Sequence, residues 1–149
     1  MTAFQERPIP MAMKKSTIQQ QVAEAIAQAN PQDRPLVTIQ AIAGPSVWLM
    51  SMFGVIGQAF LTYYFITVTQ QAVLLHRASR LSNRPQELVV AIPPHEAMQM
   101  ISDVRRNTLW SSFRCQLPGQ PKPTRMNVHR IWRNEMDQLL GMLTGQPVA

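Results

Sequence analysis

From Pro35 to His76, 42 consecutive residues carry no Asp, Glu, Lys or Arg, although the 149-residue chain holds 14 basic and 8 acidic side chains elsewhere. The run contains Trp48, Leu49, Met50, Met52, Phe53, Val55, Ile56, Phe60, Leu61, Tyr63, Tyr64, Phe65, Ile66 and Val68. Surface of this kind has to be hidden, either in lipid or in a complete core.

Its parts differ in character. Leu36, Val37, Thr38, Ile39 and Ile42 give residues 35–43 the β-branched density of a strand, and Gly44-Pro45-Ser46 reads as a turn. Val47 to Leu61 is apolar or small except for Ser51 and Gln58. As a helix it reaches about 22 Å at 1.5 Å per residue, short of the ~30 Å hydrocarbon core. Tyr63 to Thr69 alternates Tyr64, Ile66, Val68 with Tyr63, Phe65, Thr67, which is strand chemistry. Two readings follow. In one, a single transmembrane helix runs from Val47 to Val68 with Trp48 and Tyr63 or Tyr64 at the interfaces. In the other, a short apolar helix or hairpin, bent at Gly54 and Gly57, precedes a strand and either dips into one leaflet or packs on the domain. The second is preferred on length.

The net charge of +6 is unevenly placed. Residues 1–34 are near neutral, whereas residues 77–149 hold Arg77, Arg80, Arg84, Arg105, Arg106, Arg114, Lys122, Arg125, Arg130 and Arg133 against five acids. A basic portion of this kind is drawn to anionic surfaces. Beside a long apolar stretch, phospholipid is favoured over nucleic acid, for which no recognition helix, aromatic ribonucleoprotein pattern or GXXG loop is present. The single cysteine, Cys115, excludes an intramolecular disulfide. Lys14-Lys15 is followed by Ser-Thr-Ile-Gln-Gln-Gln rather than an apolar segment, so no secretory signal is read, and the expected place is the cytoplasm or the inner membrane face.

The remaining pattern predicts these elements. Residues 1–13 read as a disordered leader and 14–31 as an N-terminal helix, with a Ser16/Gln19 capping box and an Ile18, Val22, Ile26 stripe, stopped at Asn30-Pro31. The stripe is narrow enough that docking is expected rather than core formation. A hairpin joins 63–69 to 72–78 through Gln70-Gln71. Further strands are expected at 87–92, 97–104, 108–117 (with Leu109, Phe113, Cys115 and Leu117 on one face) and 124–128, with turn signals at Pro93-Pro94 and Pro118-Gly119. Trp132, Met136, Leu139, Leu140 and Leu143 define an amphipathic helix over 129–143, ended by Gly145 and Pro147. The expected core is Ile66, Val68, Val73, Leu75, Val90, Ile92, Phe113, Cys115, Met126, Trp132, Met136, Leu139 and Leu143.

About six short strands closed by one amphipathic helix, with Tyr64-Phe65-Ile66-Thr67-Val68-Thr69-Gln70-Gln71-Ala72-Val73-Leu74-Leu75, the Ile92-Pro93 step and Asn127-Val128-His129-Arg130-Ile131-Trp132, resembles the bacterial pleckstrin-homology-like (PH-like) domains of small actinobacterial-type proteins. The resemblance covers residues 34–145, with 45–61 as an insertion and 146–149 as a tail. It departs at the first hairpin, where Gln70, Gln71 and Ala72 replace the usual acidic or Asn residue plus Arg. It implies an α+β fold: a curved antiparallel sheet or barrel capped by the C-terminal helix, with an extra N-terminal helix. It further implies a binding or scaffolding role without catalytic residues.

The side chains themselves offer little for catalysis. His76, His95 and His129 lie in separate elements without spacing suited to a metal, a single cysteine argues against zinc, and no glycine-rich phosphate loop is present. No cofactor or metal is expected. Glu87, Glu96 and Asp103 read as solvated charges. The candidate contact residues are Trp48 and Phe53 for insertion, with Arg105, Arg106, Trp110 and Arg114 for anionic headgroups. Guanidinium forks suit phosphate, and tryptophan suits the headgroup zone. The expected partner is an anionic lipid or a protein. The competing expectation is a soluble homo-oligomer that buries the apolar segment against a second copy.

Overall fold

A computed structural model describes residues 10–44, 62–78 and 85–144, with backbone alone for 10–14 and Gln86. Trp48, Phe53 and the rest of 45–61 lie outside the described residues. The fold is α+β. Helix α1 (Pro10–Ala29) precedes strands β1 (Pro35–Ala43), β2 (Thr62–Thr69), β3 (Val73–Ala78) and β4 (Pro85–Ile92). A short helix α2 (Pro94–Met100) leads into β5 (Ile101–Arg105), β6 (Trp110–Cys115) and β7 (Thr124–His129). A 3₁₀ turn (Arg130–Trp132) then opens helix α3 (Arg133–Thr144). The strands form one antiparallel open sheet in the order β4-β3-β2-β1-β7-β6-β5.

Register explains the core. Ile39, Ile66, Leu75 and Val90 lie in one row across four strands, because Ile39 pairs with Ile66, Ile66 with Leu75, and Leu75 with Val90. Met126 and Phe113 continue the same face through Ala43, and α3 places Trp132, Met136, Leu139, Leu140 and Leu143 in the same cluster. Every expected core residue is buried except Ile92, which is partly buried. β2 is buried on both faces: Phe65 and Thr67 are sealed as fully as Ile66 and Val68, and Thr38 Oγ1 meets Thr67 Oγ1 at 3.0 Å across the ladder. A β-branched strand that must tolerate burial on both sides loses little by carrying paired threonines.

The hairpin at Gln70-Gln71 is made by the preceding threonine. Thr69 Oγ1 accepts from Gln71 N–H (3.1 Å) and Ala72 N–H (2.9 Å) and donates to Ala72 O (3.0 Å), so the turn needs no Gly or Asn at its apex. Pro118-Gly119 forms the expected turn, with Gly119 at φ +78°, the position where a type II turn favours glycine.

Several expectations are corrected. The strand expected at 97–104 is helix as far as Met100 and strand only from Ile101: Pro94 occupies the first turn and Glu96 follows it, both favourable at a helix start. Leu109 is exposed rather than inward-facing, because β6 begins only at Trp110. α1 begins at Pro10, so Ser16 lies inside the helix and not at its cap. Its Ile18, Val22 and Ile26 are full members of the core. A partly buried anchor holds this end: Lys15 Nζ donates to Ile131 O at 2.8 Å, pairs with Glu135 at 2.8 Å, and stands 5.6 Å from the Trp132 ring centre. The C-terminal helix starts at Arg133, and His129 ends β7, its imidazole accepting the Ile131 N–H.

The transmembrane reading of Val47–Val68 is overturned. Residues 62–69 are a strand, and Ala43 pairs directly with Thr62. The 17 residues 45–61 therefore depart from and return to adjacent positions of one sheet. A single crossing would require β1 and β2 to lie on opposite sides of the bilayer. Among the described residues no helix is long and apolar enough to cross a membrane.

The corner between the two halves of the sheet is narrow: β1 and β7 share only Ile42–Asn127 and Ala43–Met126. Asn127 reinforces it. Its fully buried amide donates to Ile42 O (3.0 Å) and Gly44 O (3.3 Å), and its Oδ1 accepts from Arg125 Nε (3.0 Å). Asn127→Leu should cost about 2–4 kcal/mol, since two buried carbonyls lose a donor. Urea denaturation would measure the loss, and an unchanged midpoint would refute this role.

Candidate functional site

The β5–β6 hairpin is the most exposed part of the sheet. From Ser102 to Leu109 every residue faces solvent, including Val104 and Leu109. β5 carries a bulge: Ser102 pairs with Arg114 and Arg105 with Ser112, so three steps on β5 oppose two on β6. Asp103 takes up the difference at φ 52°, the left-handed region that Asp tolerates better than most residues. The bulge brings two of the expected arginines together on one carboxylate: Arg105 Nε is 3.1 Å from Asp103 Oδ1, and Arg114 Nε is 3.4 Å from Asp103 Oδ2. The hydrogen bond from Arg105, with Arg114 behind it, holds the Asp103 carboxyl below the usual carboxylate range.

Arg106 does something else. Its Nε meets Asp137 Oδ1 of α3 at 3.0 Å, tying the hairpin to the helix. Arg133 adds a second tie, donating to Asn107 O and, at 3.5 Å, to Ser111 Oγ. Trp110 is half-buried and stands edge-on to His129 with ring centres 4.9 Å apart. The expected set is thus divided. Arg105 and Arg114 share Asp103, Arg106 and Trp110 brace the hairpin against β7 and α3, and Trp48 and Phe53 lie outside the described residues. The contacts of Arg105 and Arg114 to Asp103, and of Arg106 to Asp137, are made through Nε.

A residue that sequence reasoning passed over stands closer to the apolar segment. Gly44 N–H donates to Arg125 O at 3.2 Å, and Arg125 pairs with Arg114 on β6. Arg114 therefore lies two strands from Gly44, about 10 Å at the usual interstrand spacing. Arg77, bonded to Glu87 at 2.9 Å, pairs across the ladder with Tyr64, which pairs with Ala41 near the same end of the sheet. Arg125 has no carboxylate within 4.0 Å among the described residues; its Nε goes to the neutral Asn127 amide. The polar parity of Arg125 and Asn127 on β7 was visible in the sequence, but their position beside Gly44 depends on a long-range pairing.

A small cavity of about 20 Å³ lies under α2, lined by apolar side chains including Leu75, Val90, Ala97 and Phe113, and by the Cys115 thiol. This is room for about one water molecule. Burial pushes the Cys115 thiol up to about 11, so little thiolate forms near neutrality. Among the described residues no group of three His, Cys, Asp or Glu side chains is placed to hold a metal ion.

No protein-family model matches the chain, and no curated protein or solved structure matches it.

Proposed function

We propose that this protein is a non-catalytic, membrane-associated binding module of PH-like fold on the cytoplasmic face, with residues 45–61 entering one leaflet and flanking arginines meeting anionic headgroups. The observation that carries this reading is the pairing of Ala43 with Thr62 beside Arg125. An uncharged segment bearing Trp48, Leu49, Phe53, Val55, Ile56 and Phe60 leaves and returns at one sheet end, where Arg77, Arg114 and Arg125 also stand. The strand order, closed by a C-terminal helix after β7, supports the PH-like assignment.

Each arginine near the surface adds about 1 kcal/mol toward anionic lipid. Arg125 is the best placed of them, because no carboxylate among the described residues offsets it. Arg105 and Arg114 act as a pair with Asp103 between them. The soluble homo-oligomer remains the competing reading, since a second copy could cover the same apolar segment.

Co-sedimentation of the full chain with vesicles of anionic and of neutral phospholipid, across a salt series, tests the proposal. Binding that weakens with salt yet persists in part at 1 M would support combined charge and insertion. No binding to either vesicle, with a dimer in solution, would overturn it. Asp103→Asn should tighten anionic-vesicle binding about fivefold, because it removes one negative charge and releases both guanidinium groups. A decrease would show that the Asp103 bridge orients Arg105 and Arg114 for binding.

A further inference from the structure

His76 sits where burial disfavours the charged imidazole. It lies in β3, is 7 % exposed, and its Nδ1 has no partner among the described residues. Its cross-strand neighbours are Phe65 on β2 and Leu88 on β4. No charged group faces it from the elements around it. β2 presents Tyr63, Phe65 and Thr67 on that face, and β1 beyond it presents Gln40 and Thr38. The nearby charges are already engaged: Arg77 with Glu87, and, on α1, Lys15 with Glu135 and Glu24 with Gln20. Burial accordingly lowers the His76 pKa from its ordinary value of 6.5.

The surrounding ladder is weakest at this residue. β4 is an edge strand, and its register with β3 shifts on both sides of His76, between Leu75 and His76 and again between His76 and Ala78. Leu88 is half exposed, whereas Phe65 is sealed. Hydrating His76 through the β4 side therefore uncovers far less apolar surface than opening the β2 side.

We infer that His76 is an acid-sensitive latch, whose imidazolium form is satisfied only when the Pro85–Leu88 half of β4 lifts from β3. Above pH ~6.5 the imidazole is neutral in both the closed and the open form, and the latch is shut. Below that value the open form takes up a proton that the closed form refuses, so opening gains about tenfold per pH unit until the closed form itself titrates. The lifted half begins at Pro85, at the same sheet end as Arg77 and the Ala43–Thr62 pair. Acid would therefore loosen the rim of the proposed membrane contact. That last consequence rests on the membrane reading; the latch does not.

Hydrogen-exchange protection of the full chain at pH 7.5 and 5.5 tests it, alongside His76→Phe and His76→Gln. Amides of β4 and of the outer half of β3 should lose up to about tenfold in protection at pH 5.5, with β1 unchanged, and His76→Phe should abolish the loss. Histidine 129 also has a lowered pKa, by burial and by Arg130, but it lies on β7, so its titration would be read in β6 and β7. An equal loss in both His76 variants would overturn the latch. Should the variants fail to fold, NMR titration of the wild-type imidazole decides: a midpoint below 6.5 supports the latch, and a midpoint at or above 6.5 overturns it. Vesicle binding at the same two pH values separates the two proposals. A His76-dependent opening with no vesicle binding at either pH keeps the latch and removes the membrane reading.

Discussion

Replacing Leu139 with Asp is expected to abolish cooperative folding at 25 °C. Leu139 is completely buried in α3, between Met136 and Leu143 and in one cluster with Trp132 and Ile39. The substitution removes an apolar side chain, at a cost of about 2–5 kcal/mol. It also leaves a carboxylate with no cation or donor prepared for it, at a further cost of several kcal/mol. Together these come to roughly 5–10 kcal/mol, comparable with the ~5–15 kcal/mol that stabilises a domain of this size. Met142→Asp, on the exposed side of the same helix, should change stability by no more than about 0.5 kcal/mol. Far-UV circular dichroism during thermal melting would distinguish them. A normal melt for Leu139→Asp would mean that α3 does not close the sheet.

The double substitution Trp48→Asp with Phe53→Asp should reduce affinity for anionic vesicles at least a hundredfold while leaving the thermal midpoint nearly unchanged. Each aromatic is worth about 1.5–3 kcal/mol when fully removed from water, and a carboxylate in its place is repelled by anionic headgroups. β1 and β2 are joined by their own ladder from Pro35–Thr69 to Ala43–Thr62. A large fall in the midpoint together with dissociation of a dimer would instead place these residues in a protein interface.

The parts of the fold legible in the sequence were those with long, consistent periodicity. The α3 stripe is recovered with its buried face, and the β-branched runs are recovered as β1 and β2, although β2 is buried on both faces. Failures occurred where a local signal competed with tertiary contacts. Met98 and Met100 alternate as on a strand, but Pro94 and Glu96 start a one-sided helix in which Ala97 alone is buried. Ser16 and Gln19 have cap spacing, yet Pro10 also suits a first turn, and the Lys15 contacts to Ile131 and Glu135 could not be foreseen from local chemistry. The arginine cluster was legible as residue types but not as geometry. Asp103 looked like a solitary acid, and only the β5 bulge brings it to both Arg105 and Arg114. Arg125 was read as the outward residue of a strand. Its place beside Gly44 follows from the β1–β7 corner, a contact between residues far apart in the chain.

Fluorescence of Trp48 against phospholipids brominated at known acyl positions tests the central claim most directly. Trp110→Phe removes one competing indole, and Trp132 is too deeply buried to meet lipid. Insertion of residues 45–61 into one leaflet should give strong quenching by bromines near the headgroup end of the chains, weaker quenching toward the bilayer centre, and a red-shifted, unquenched spectrum with neutral vesicles at low protein occupancy. Unquenched Trp48 emission at saturating anionic lipid, with the chain running as a soluble dimer, would contradict it.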